Sequence, residues 1–201
     1  MPTEITAICV YCGSSTGNSQ KYVEAAQELG EALVKNGIAL VYGGGDKGLM
    51  GIIARTVHEG GGNVVGIIPE AMTQFEGMLL VGDVTIVPDM HTRKKKMEEN
   101  CNAFIALPGG FGTFEELFEA ITWAQLNIHS KPIGVLNTNG FYDPLIALID
   151  KSIESGFIKP SNRELIVVRD NVSDLLTALR EFKMPEDAQY NLDWQKAKEL
   201  A

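Results

Sequence analysis

Seven short apolar runs rich in Val and Ile recur along the chain, each bounded by Gly, Pro or Asn: TAICVYCG (6–13), IALVYGGG (38–45), NVVGIIP (63–69), VTIVPD (84–89), AFIALPGG (103–110), KPIGVLNT (131–138) and ELIVVRD (164–170). Runs of this length with turn residues at their ends predict β-strands. Most are apolar at consecutive positions rather than at alternate ones, as parallel strands covered on both faces are. Between them the apolar spacing lengthens to a helical period, predicting helices over about 19–36, 48–60, 90–101, 114–128, 142–155 and 173–182. The fifth run is followed by apolar residues at Phe114, Leu117, Phe118, Ile121, Ala124 and Ile128, one face of a helix.

Strand and helix in strict alternation predict an α/β fold, a Rossmann-like doubly wound sheet of about seven mainly parallel strands with helices on both faces. In such sheets ligands sit beyond the carboxyl ends of the strands, where the strand order reverses. Four loops that follow strands are therefore the ones to inspect: CGSSTG (12–17), YGGGDKG (42–48), PDMHTRK (88–94) and PGGFGT (108–113). Residues 1–183 read as a single Rossmann-like domain. Residues 184–201, with Pro185 and mixed polar residues before a short helical pattern around Leu192–Leu200, read as a peripheral tail.

Composition narrows the partners. A chain of 201 residues with 45% hydrophobic side chains supplies one sizeable core, and a formal net charge of −9 repels polyanions and anionic membranes. A small ligand is expected, with no nucleic acid and no membrane. The N-terminal MPTEITAICVYC lacks the basic and long apolar regions of a signal peptide, and no apolar run approaches the roughly 20 residues that span a bilayer, so the protein is expected in the cytoplasm. Cys9 and Cys12 form a CxxC pair, but Cys9 falls in mid-strand, where a redox thiol is not expected.

The loop Pro108-Gly109-Gly110-Phe111-Gly112-Thr113 carries the chemistry. Glycines let backbone N–H groups surround a phosphate, and the positive end of the following helix favours the anion. Thr113 and Glu116 also fit a TxxE capping box, in which the glutamate would merely close the helix start. Upstream, Arg93-Lys94-Lys95-Lys96 follows the fourth strand. Such a run is commonly a solvated helix face, although Arg93, first after PDMHT, is placed to face the crevice.

These residues resemble the Lonely Guy (LOG) family, often labelled lysine decarboxylase-like, whose marks are PGGxGTxxE and an upstream Arg-Lys pair. Pro108, Gly109, Gly110, Gly112, Thr113 and Glu116 fill every specified position of the first mark, and Arg93-Lys94 supplies the second. YCGSS, YGGGDKGLMG and ITWAQLNIHSKPIG look like further family blocks. The resemblance implies a phosphoribohydrolase that cleaves the N-glycosidic bond of a nucleoside 5′-monophosphate, a cytokinin riboside monophosphate or AMP, to free base and ribose 5-phosphate. It implies Arg93 and Glu116 as the catalytic pair. It also implies Lys94, Gly110, Gly112, Thr113 and Thr122 as ligand contacts, a homodimer and no metal; Gly109 and Phe111 of the same loop are expected beside the ligand, and no cofactor is expected.

An N-glycosidic bond breaks through an oxocarbenium-like sugar, which calls for negative charge and an activated water near the anomeric carbon. Glu116, near a helix N-terminus and an arginine, suits that as a carboxylate. Arg93 is too basic to give up a proton and suits orientation and charge. Asp89, His91 or water remain as donors to the leaving base. Gly43-Gly44-Gly45, Gly48-Leu49-Met50-Gly51 and Ser14 either line the same crevice or serve turn geometry. Gly43, Gly45 and Gly48 spell GxGxxG, but after the second strand rather than the first, which disfavours a dinucleotide. His58 and His129 look structural. A pyridoxal-phosphate decarboxylase is disfavoured for want of a Schiff-base lysine. The rival reading is a carrier or sensor that binds a nucleotide on the same fold without hydrolysis. It would need the phosphate cradle but not the carboxylate.

Overall fold

A computed structural model of the chain describes residues 4–74, 81–192 and 194. The strands are β1 (Ala7–Tyr11), β2 (Ala39–Tyr42), β3 (Val64–Pro69), β4 (Asp83–Val87), β5 (Ala103–Ala106), β6 (Ile133–Leu136) and β7 (Ile166–Arg169). They form one parallel sheet in the order β4-β3-β2-β1-β5-β6-β7. The helices are α1 (Gln20–Lys35), α2 (Gly48–Glu59), α3 (Met90–Glu99), α4 (Phe111–Gln125), α5 (Asp143–Glu154) and α6 (Val172–Glu181). Each strand expected from the apolar pattern is present, as are the helices expected between residues 19 and 182, and the α/β Rossmann-type fold stands.

The two faces of the sheet carry separate cores, because successive strand side chains point to opposite sides. Ile8 and Val10 of β1 pack with Leu29 and Leu33 of α1, Ile53 and Val57 of α2, and Leu175 and Leu179 of α6. Cys9 and Tyr11 turn the other way, toward Met97 of α3, Leu117 and Ala120 of α4, and Ile149 of α5. Helices on both faces explain why the strands read as continuously apolar.

One helix start differs from the expected one. α4 begins at Phe111, with Gly110 as its cap residue and no side-chain cap. Thr113 is thereby the third residue inside the helix, and the TxxE capping box does not form. Glycine and aromatic residues at 110–112 read as loop on propensity alone. Here they supply the first turn, and Glu116 is left to another task.

At the far end of α4 the chain folds back. Tyr190 N–H donates to Gln125 O (2.8 Å), the Gln189 amide to Ala124 O and His129 O, and the Trp194 indole to Leu126 O (2.8 Å), while Ala188 is buried. The helical pattern expected around Leu192–Leu200 lies mostly outside the described residues. Among the described residues, no helix is long and apolar enough to cross a membrane.

Candidate active site

The strand order reverses between β1 and β5, so the chain leaves their carboxyl ends in opposite directions and a crevice opens between the two loops. The loops are tied together at its floor. Gly13 N–H donates to Pro108 O (3.0 Å), and Leu49 N–H, at the start of α2, donates to Gly13 O (3.0 Å). Two cavities share this floor at Gly13, Ser14 and Gly110. One, of about 300 Å³, is walled by Tyr22, Leu49 and Phe141. The other, of about 220 Å³, holds Arg93 and Glu116 together with Gly110, Phe111, Gly112 and Thr113.

The glycines of the β5 loop divide by what surrounds them. A Cβ on Gly109 would sit 2.1 Å from the Thr113 hydroxyl and 2.9 Å from Gly13 N, so this glycine lets the loop close over the first turn of α4. Around Gly110 and Gly112 a Cβ would meet nothing within 4 Å among the described residues. Their missing side chains leave space over a helix N-terminus that has no side-chain cap. That combination presents backbone N–H groups and the positive end of a helix to an anion.

Arg93 and Glu116 are both buried, on α3 and α4 respectively, and face the same cavity. α3 is started by Asp89, whose carboxylate accepts from Thr92 N–H (2.7 Å) and the Thr92 hydroxyl (3.0 Å). Those bonds hold the Asp89 carboxyl below its ordinary pKa, so it is no proton donor at neutral pH. One turn in, Arg93 extends across the ends of β3 and β2, where its Nε–H donates to Ile67 O (3.2 Å) and its Nη2 to Gly43 O (3.1 Å). Glu116 lies above β1, close enough to Tyr11 that its charge adds to burial in pushing the phenol pKa up.

The remaining expected residues scatter. Ser14 lies on the shared floor of the two cavities. Gly44 is buried at φ +74° against Ile68, Gly45 is buried, and neither lines either cavity. The Lys94 ammonium pairs with the Glu115 and Glu119 carboxylates of α4, the latter at 2.7 Å. Burial pulls its pKa down, but those two partners outweigh it and raise the value. Lys94 and His91 line a third cavity, on the outer side of α3 and α4, with Trp123 and Ile128. Thr122 is exposed and bonds only within its helix among the contacts seen, to Phe118 O (2.7 Å). Met50 lines the cavity of Arg93 and Glu116, in keeping with its expected place at the crevice, whereas Met72, Cys12 and Gly13, which line it too, were not singled out from the sequence. Gly13 was the findable one, since it ends β1 at the switch point.

The other chemical candidates are structural. Cys9, Cys12 and Cys101 are buried free thiols, and burial followed by neighbouring Cys101 pushes the Cys9 thiol pKa up, the reverse of a redox-active cysteine. His129 Nδ1 accepts from Lys131 N–H (3.2 Å) and Nε2 bonds Ala120 O (3.0 Å), a neutral ring locked beneath α4.

Over residues 50–179 the chain matches the family described as possible lysine decarboxylase. It is 52% identical over 192 residues to a probable cytokinin riboside 5′-monophosphate phosphoribohydrolase of Oryza sativa subsp. japonica, covering 94% of this chain and 78% of the relative. It is also 52% identical over 176 residues to a cytokinin riboside 5′-monophosphate phosphoribohydrolase of Arabidopsis thaliana, covering 87% and 82%. The chain belongs to the Lonely Guy family. Solved structures place the Lonely Guy fold more widely. The molybdenum cofactor carrier protein of Chlamydomonas reinhardtii superposes with a TM-score of 0.66 at 21% identity, covering 89% of this chain and 97% of that one. The molybdenum cofactor binding protein of Rippkaea orientalis gives 0.66 at 18%, covering 89% and 98%. At those identities the fold alone is shared.

Proposed function

We propose that this Lonely Guy protein is a phosphoribohydrolase that cleaves the N-glycosidic bond of a nucleoside 5′-monophosphate, a cytokinin riboside 5′-monophosphate or AMP, releasing free base and ribose 5-phosphate. The observation that carries this is the burial of Arg93 and Glu116 in one cavity beside the uncapped, glycine-walled start of α4. The phosphate occupies the space over Gly110 and Gly112, where backbone N–H groups and the helix dipole hold it. The sugar then lies over Glu116. As the bond from the anomeric carbon to the base nitrogen lengthens, the Glu116 carboxylate stabilises the positive charge on the ring and takes a proton from the attacking water. The water oxygen bonds the anomeric carbon, and the base departs with the electron pair and gains a proton.

Arg93 contributes fixed charge and orientation, its Nε and Nη2 held by the Ile67 and Gly43 carbonyls. Asp89 is spent on capping, and His91 lines the other cavity, so water is left to protonate the leaving base. The decarboxylase label of the family does not fit these residues. A Schiff-base lysine reacts as a neutral amine, whereas the ammonium of buried Lys94 is held charged between two carboxylates.

We further place a homodimer contact on the outer face of α4, where Phe118 and Ile128 are exposed beside Trp123. A monomeric mass by light scattering would refute it. The buried thiols suit a reducing cytoplasm. The decisive assay incubates the protein with AMP and with N6-isopentenyl AMP and measures free base and ribose 5-phosphate. Release from either supports the hydrolase, and the ratio gives the base preference. Tight binding without release would instead favour a carrier.

A further inference from the structure

The consecutive glycines after β2 answer different demands. Gly44 has φ +74°, a backbone conformation that other residues resist, and a Cβ there would also press on Ile68 at 2.9 Å. Gly43 has no such backbone demand. A Cβ built on Gly43 would lie 1.8 Å from Arg93 Nη2 and 3.0 Å from Cζ, and no other side chain is as near. The atoms that fill the space of the missing side chain are those of the buried guanidinium. The same residue supplies the carbonyl that Nη2 donates to, at 3.1 Å.

We infer that Gly43 is a positioning residue for the reaction: its absent side chain is the slot that seats the Arg93 guanidinium. Ile67 O fixes one edge of the guanidinium through Nε, and Gly43 fixes the other both by accepting from Nη2 and by leaving room for it. A methyl group at 43 collides with the tip of a flexible side chain, not with backbone, so the fold survives and the arginine moves. Displacement by an ångström or so of a group that orients the reacting atoms costs on the order of 100-fold in rate. This rests on the catalytic assignment of Arg93 made above, and the test separates the two.

The variants are Gly43→Ala, Arg93→Ala and the double variant. Gly43→Ala should keep its circular dichroism and its affinity for ribose 5-phosphate to within a few-fold. It should lose the hydrogen-bonded Nε–H resonance of Arg93 in nitrogen-edited NMR, and kcat should fall about 100-fold. In the Arg93→Ala background the same change should cost less than about two-fold, because the group it displaces is gone. An unmoved Nε–H resonance, or an equal loss of activity in the presence and absence of Arg93, overturns the inference. Should Arg93→Ala itself keep full turnover, the catalytic role of Arg93 falls, while the resonance still reports whether Gly43 seats it. Should Gly43→Ala fail to fold while Gly43→Ala/Arg93→Ala folds, the collision with Arg93 is confirmed by stability alone.

Discussion

The two ends of α4 are finished in opposite ways. At the carboxyl end the protein supplies the partners: the Gln189 amide reaches Ala124 O, Tyr190 N–H reaches Gln125 O, the Trp194 indole reaches Leu126 O and the His129 ring reaches Ala120 O. At the amino end there is no side-chain cap, and the two glycines beside it open onto empty space. A helix end left open next to a sheet's switch point is a ligand site in waiting, whereas an end closed by its own chain is architecture. Glycine count alone would not have told these apart, as Gly43 shows, because the gap there is filled by the protein itself.

That contrast can be broken at either end. The largest effect is expected from Glu116→Gln, which keeps the size of the side chain but removes the proposed charge beside the sugar and turns one acceptor oxygen into a donor. Turnover should fall by about 10³-fold, as losses of transition-state charge stabilisation do, while nucleotide binding persists. Wild-type base release from that variant would return Glu116 to a structural role.

The closed end should respond to pH instead. Burial holds the His129 pKa down to about 4, against 6.5 for a free imidazole. The unfolded chain therefore binds the proton first as pH falls, so stability present above pH 6.5 is lost progressively down to about 4, by roughly 2–3 kcal/mol. Urea unfolding at pH 7 and pH 4.5 should show this loss, and His129→Gln should shrink it. An identical pH slope in the variant would mean the ring is not the source.

The smallest effect probes the open end directly. Gly112→Ala adds a methyl where nothing stands within 4 Å and replaces glycine inside a helix, which should raise stability by about 0.5–1 kcal/mol. The same methyl intrudes on bound phosphate, and ribose 5-phosphate affinity should drop about ten-fold by calorimetry, roughly the cost of one impaired charge-assisted hydrogen bond. A more stable variant with undiminished affinity would show that the phosphate sits elsewhere.

Most of the fold was legible because parallel strands are apolar on both faces and end in Gly, Pro or Asn, so β1 through β7 stand out as separate runs. The start of α4 was not, since Gly110, Phe111 and Gly112 favour loop by propensity, and only the packing of Thr113 under Gly109 reveals that the helix has already begun. Arg93 and Glu116 were legible as a motif pair. What holds them was hidden: Ile67 O and Gly43 O lie 26 and 50 residues from Arg93, and the Lys94 pairs reach 21 and 25 residues to Glu115 and Glu119. A basic run carries no mark of which member will turn inward to a carbonyl and which to a carboxylate.

Arg93 follows β4, the outermost strand on one flank, and Glu116 follows β5, across the β1–β5 seam. Each flank brings one member of the proposed pair, and the proposed site needs both. During refolding, base release would begin only when the seam has zipped, which makes turnover a clock for the docking of two half-sheets.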